Sequence, residues 1–270
     1  RLCLASFCNQ QFLWFVCLGM IADRILTGRG RANGKWHVQA FTLIELLVII
    51  ALMGVLFSMT APTLVKVQNK ARQLQCLNNV RNISTANALY SSDHNGRLLP
   101  HAIFLKPPPD ALVPNAHMTF WPDLLASYTG DKRAFQCPCM KCNPDAGIGY
   151  GMNLTVTGEF LVKSEIFAPH EMEIRNPGQT MLFGDAAFVT RETMFLSPAH
   201  WVEDTTRPIG SWTIRSPIDP LWNWAPTRLV PRHRGRANVG FVDGHVESLS
   251  IEQLGYDKPL GHPKNWWDRH

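Results

Sequence analysis

From Phe41 to Val65 the chain reads FTLIELLVIIALMGVLFSMTAPTLV, an apolar run with one charge, Glu45, close to its start. About 20 consecutive apolar residues make a helix long enough to cross a bilayer. A carboxylate inside such a helix costs about 2.5–3.5 kcal/mol near the bilayer centre on insertion scales. Any fold for this chain must therefore begin with an exposed or membrane-embedded helix and give Glu45 a partner.

The residues around the start of this run, Gln39-Ala40-Phe41-Thr42-Leu43-Ile44-Glu45-Leu46-Leu47-Val48, resemble the N-terminal cleavage and methylation motif of type IV prepilins and type II secretion pseudopilins. The resemblance implies that a membrane prepilin peptidase cuts between Ala40 and Phe41 and that the new Phe41 terminus is N-methylated. It also puts Glu45 at the fifth position of the mature chain, as the residue used in assembly. Gly54 and Pro62 fall where such helices often carry Gly and Pro, whereas Ala40 stands where the family usually has Gly. Physically, the freed ammonium of Phe41, in the same chain or a neighbour, is the nearest cation for Glu45. A buried ammonium–carboxylate pair between packed helices would set their axial register, and leaving one partner alone would be costly. The alternative is a plain signal anchor whose Glu45 reaches back to the headgroups.

Residues 1–40 read as a leader. Residues 2–22 are apolar but interrupted by Asn9-Gln10-Gln11, which makes a poor spanning helix. Met20 is the expected true start, followed by a basic region with Arg24, Arg29, Arg31 and Lys35. On this reading residues 1–19 are not part of the protein, and Cys3, Cys8 and Cys17 leave the cysteine count.

Beyond the apolar run, Ala71, Leu74, Leu77, Val80, Ile83 and Ala86 recur between polar residues, with Leu89 or Tyr90 extending the stripe. This spacing predicts an amphipathic continuation of the helix that packs on a domain. Pro62 should kink it or remove a backbone bond, and Asn95-Gly96 should stop it. Eighteen of the nineteen prolines follow Leu99, so little helix is expected there beyond a short one at 122–128. Expected strands are 160–163, 180–183, 188–190 and 211–215, and a hairpin joins 238–242 to 245–249 through Asp243-Gly244 in a type I′ turn. His233, Asp243 and His245 invite a metal or hydrolase reading. The preferred one makes Asp243 a turn residue and both histidines polar partners of the hairpin.

The expected architecture is α+β: a transmembrane helix at 41–65, an amphipathic stalk at 66–96, and a loop-rich antiparallel β head at 97–270. Two further stretches resemble prepilin-type proteins with a large Pro-rich C-terminal domain. One is Cys76-Leu77-Asn78-Asn79-Val80-Arg81-Asn82-Ile83 with Tyr90–Pro100. The other is Arg232-His233-Arg234-Gly235 with Ala237–Val246.

Cys76, Cys137, Cys139 and Cys142 form an even set, for which disulfides are the preferred reading. One of them would tie Cys76 to the head. A zinc knuckle including Cys76 is the alternative, although a second C-x-x-C unit is missing. The resemblance points to Asp185 and Asp243 as the acids to test for calcium, with no other cofactor expected. Trp222-Asn223-Trp224 and Trp266-Trp267 are either core aromatics or a carbohydrate or partner surface.

A net charge of +5 with scattered basic residues gives no reason to expect nucleic acid. No phosphate loop, G-x-S-x-G elbow or H-E-x-x-H run is present, so an enzyme is not expected. The expected function is a pseudopilin-like structural subunit of a type II secretion or type IV pilus-like fibre. Its partners would be the prepilin peptidase, other pilin-like subunits, inner-membrane assembly machinery and the lipid bilayer. It would sit in a bacterial inner membrane by a single pass, with its head periplasmic, before entering the fibre. The rival is a membrane-anchored binding protein for polysaccharide or protein that uses the motif only for insertion.

Overall fold

The computed structural model describes residues 42–140, 147–157, 168–207, 209–217, 219, 221–259 and 261–268. Ala40, Phe41, Cys142 and the expected strand at 160–163 lie outside them. Helix α1 spans Leu43–Asp93. Among the described residues it is the one helix long and apolar enough to cross a membrane. The chain falls into two compact units divided between Val65 and Lys66.

In the first unit, Thr42 and Glu45 start the helix together. Glu45 N–H donates to Thr42 Oγ1 at 3.3 Å, and Thr42 N–H donates to Glu45 Oε2 at 3.1 Å. This reciprocal capping box satisfies two donors that a helix start otherwise leaves free. Leu43, Leu47, Ile50, Leu52, Leu56 and Phe57 are all exposed on the helix that follows.

In the second unit, Cys76, Val80, Ile83, Ala86 and Tyr90 of α1 are buried. The stripe starts later than its sequence spacing suggested, because Ala71 and Leu74 face outward, and of Leu89 and Tyr90 it is Tyr90 that extends it. The buried face also carries Asn79, Ser84, Asn87 and Ser91, small or amide side chains that fit a close helix–sheet approach. The closest approach is at Gly240, where a β-carbon would stand 2.3 Å from Ser84 Oγ. The helix stops as expected, with Asn95 and Gly96 both at positive φ and Gly96 N–H closing back on the Ser91 carbonyl at 2.8 Å.

Strands β1 (Ala102–Ile103) and β2 (Thr119–Phe120) pair with each other and lead into α2 (Trp121–Thr129). Then come β3 (Tyr150–Asn153), the one-turn α3 (Leu154–Thr157), β4 (Met181–Phe188), β5 (Thr213–Ile214), β6 (Thr227–Leu229), β7 (Ala237–Phe241) and β8 (Val246–Leu249). The main sheet runs β5-β3-β4-β7-β8, with β6 also on β4. It is mixed rather than wholly antiparallel, since β5 lies parallel to β3 with Met152 opposite Thr213. The long central β4 takes in most of the expected strand at 180–183 but only Phe188 of the one at 188–190, where Val189 makes a lone bridge to Glu203; its register shifts between Met181 and Phe183.

Two cores cover the sheet. One packs the α1 stripe with Trp121, Leu125, Phe135, Tyr150 and Phe183. The other packs Val239 and Phe241 of β7 with Leu229, Ile251, Leu254 and Trp267. The C-terminal segment is sewn to the sheet by its backbone. Met181 N–H donates to the Trp266 carbonyl at 2.8 Å, and the Asn153 amide donates to the Trp267 carbonyl at 3.0 Å.

The Asp243-Gly244 hairpin forms, but not as a type I′ turn. Only Gly244 has positive φ, and Phe241 N–H reaches His245 O across a three-residue loop. That is a type I turn closed by a left-handed glycine. The turn with two positive-φ residues is at Arg234 (φ 55) and Gly235 (φ 79), where His233 and Arg236 exchange backbone bonds. Arg234 pays a left-handed penalty there that asparagine largely avoids. Arg234→Asn should therefore stabilise the protein by about 0.5–1 kcal/mol, seen as a higher denaturation midpoint; a lower midpoint would contradict this turn assignment.

Candidate metal centre

Four side chains from three separate segments converge beside α1. Cys76 comes from the buried helix stripe, and Cys137 and Cys139 from the turn after the 3₁₀ helix Lys132–Phe135. His233 comes from the turn between β6 and β7. Their candidate ligand atoms all lie within 4.8 Å of one another. Cys76, Cys137 and His233 are buried and Cys139 is half-buried.

Local structure accounts for each position. The turn at Arg234-Gly235 reverses the chain right after His233 and holds it at the sheet. Cys137 can press against β3 because residue 149 is glycine: a β-carbon there would fall 2.4 Å from Cys137 Cβ and 2.9 Å from its backbone nitrogen. The Asn79 amide donates to the Gln136 carbonyl at 2.8 Å, and Tyr150 Oη donates to the Cys76 carbonyl at 3.4 Å. Helix and cysteine turn are thus joined by polar contacts as well as by packing.

The three cysteines are free thiols. Cys76 does meet the head, as expected from sequence, but its Sγ stands 2.9 Å from Cys137 Sγ, well beyond the roughly 2.05 Å of a disulfide. Hydrogen bonds from Cys139 and Cys76 hold the Cys137 thiol far below the usual thiol range. The same contacts, with burial, push Cys76 and Cys139 up. These opposite directions make Cys137 the readiest of the three to lose its proton, and the thiolate is the form that binds metals.

His233 is not a partner of the C-terminal hairpin. It is buried, and its Nε2 lies 3.3 Å from Asp185 Oδ2. Burial works against its charge, but the Asp185 carboxylate and the Cys137 sulfur outweigh it and raise its pKa to about 9. Burial raises the Asp185 pKa, while His233 and Arg232 oppose that rise. Asp185 also accepts the Asn238 backbone N–H at 2.6 Å. Two cations, Arg232 and His233, and the Asn238 N–H thus work against what burial does to the Asp185 carboxylate. Arg232 in turn donates to Glu203 Oε1 at 3.0 Å, to the Gly149 carbonyl at 3.0 Å and to the Ala186 carbonyl at 2.9 Å.

The two acids singled out for calcium are not brought together. Asp185 lies beside Asn238 near the start of β7, whereas Asp243 lies past its end, about 16 Å farther along an extended strand. Asp185 faces cations, and Asp243 Oδ1 caps its own turn by accepting the His245 backbone N–H at 3.0 Å. Calcium needs about six to eight oxygens, and neither position gathers them.

The tryptophans divide. Trp121 and Trp267 are core residues. Trp222 stacks under Arg228, whose guanidinium lies 3.2 Å from the ring centroid, and Trp266 packs edge-on to Phe241. Trp224 is 80% exposed. Of the two tryptophan pairs, Trp224 is thus exposed, Trp222 and Trp266 are half-buried and Trp267 is buried.

Comparison with protein-family profiles, curated proteins and solved structures finds no match.

Proposed function

We propose that this protein is a pilin-like structural subunit, cleaved before Phe41 and assembled through its N-terminal helix into a fibre of a type II secretion or type IV pilus-like system. The observation that carries this reading is the division of labour along α1. Its first half is apolar and exposed, with Glu45 as its only charge, and its second half is built into the head. A helix that served only as an anchor would need the first half alone. Here the helix runs on from the apolar segment to residues that are built into the core of the head. In this reading the bilayer holds the subunit before assembly, with the head on the extracytoplasmic side.

The processing step tests the reading. In cells with an active prepilin peptidase, mass spectrometry of the membrane-derived protein should find a mature chain that starts at N-methylated Phe41. Ala40→Gly should be cut at least as well, and a bulky residue at that position should block cutting. A leader that stays attached under those conditions would overturn the proposal.

A further inference from the structure

We infer that Cys76, Cys137, Cys139 and His233 form a structural zinc site that fastens α1 to the head. The inference is independent of the fibre reading and holds for an anchored binding protein equally well. Three sulfurs and one imidazole are a complete ligand set for tetrahedral zinc. With Zn–S near 2.3 Å, tetrahedral geometry sets ligand sulfurs ~3.8 Å apart. The four ligand atoms already lie within 4.8 Å of one another, and the Cys76–Cys137 pair at 2.9 Å needs only to open by ~0.9 Å.

A second, independent observation points to the same ligand. Histidines that bind metals almost always donate their other ring N–H to a carboxylate, carbonyl or water. Buried His233 Nε2 makes no satisfactory hydrogen bond, yet faces Asp185 Oδ2 at 3.3 Å. A small rotation of the ring on binding would complete that bond. There is also a way in for the ion: Cys139 lines a cleft of about 410 Å³ together with Trp201, Glu203 and Arg232. Binding would displace to solvent the protons held by the cysteine thiols and by the His233 ring nitrogen that takes the ion, so affinity falls with falling pH. No electron transfer is involved.

The test uses the full chain in detergent. After chelation and reloading with zinc alone, elemental analysis should find one zinc per chain. Cobalt in its place should give tetrahedral d–d bands with thiolate-to-cobalt charge transfer. Cys139→Ser, at a half-buried position that should tolerate it, should weaken zinc binding at least tenfold in competition with a chromophoric chelator. Asp185→Asn should weaken it by about 10–100-fold, and Cys142→Ser should leave it unchanged. The cobalt spectrum of the unaltered chain does not depend on any variant folding. Three outcomes would each overturn the site: no retained zinc; a cobalt spectrum without thiolate charge transfer; or zinc lost in Cys142→Ser and kept in His233→Ala. A mass lower by two hydrogens, with Cys76 and Cys137 in one linked peptide, would overturn it in favour of a disulfide.

Discussion

Glu45→Gln should yield a subunit that inserts and is cut normally but is missing from fibres. Gln serves the capping box as well as Glu does, so the contacts with Thr42 at the helix start are kept. Removing a charge from an apolar helix also makes insertion easier rather than harder. What the variant loses is the anion that would meet a Phe41 ammonium in a neighbouring subunit. An unpaired buried charge of that kind costs roughly 3–5 kcal/mol, enough to shift an assembly equilibrium by roughly two to nearly four orders of magnitude at every contact. The measurement is the amount of protein in a sheared fibre fraction relative to the membrane. Glu45→Gln at parental levels in the fibres would mean that capping accounts for the whole role of Glu45.

Arg232→Met should be the most damaging single change in the head, costing about 3–5 kcal/mol. The side chain is buried, and it bridges Glu203 and two backbone carbonyls while lying 3.9 Å from Asp185. Methionine fills much the same volume but leaves Glu203 without its cation and the carbonyls of Gly149 and Ala186 without that donor. Adding Glu203→Gln to Arg232→Met should recover part of the loss, because the stranded charge is then gone. Denaturant midpoints of the chelated protein measure both. A loss below about 1 kcal/mol would place this network among weak surface pairs.

Local features were legible from the sequence. The long helix, its stop at Asn95-Gly96, the short helix α2 and the hairpin around Asp243-Gly244 each write their signal within a few residues. Features that depend on distant partners were not. The parallel pairing of β5 with β3 joins segments far apart in the chain, and nothing local announces it. The helix stripe was misread at Ala71 and Leu74 because Asn79, Ser84, Asn87 and Ser91 hide the true face behind polar letters. The cysteines and the meeting of Cys76 with the head are read from sequence, whereas His233 as a neighbour of Cys76, Cys137 and Cys139 is not; Cys142 lies outside the described residues. His233 was assigned to the hairpin that follows it, whereas Arg234-Gly235 makes the chain turn at once and leaves the imidazole at the sheet. An Arg-Gly pair after a histidine was the available signal; arginine disguised it, being a poor residue for positive φ.

Trp267 and its neighbours have a consequence for how the molecule is made. The second core closes only when Leu254 and Trp267 settle on the sheet. The helix stripe that needs the other face of that sheet is synthesised well before them. At about 5–20 residues per second, roughly ten to thirty-five seconds separate Tyr90 from Trp267. For all that time Val80 and Ile83 have no finished sheet to cover them, next to an apolar segment that is itself prone to associate. A chain that stops short of Leu254 would therefore never close its second core.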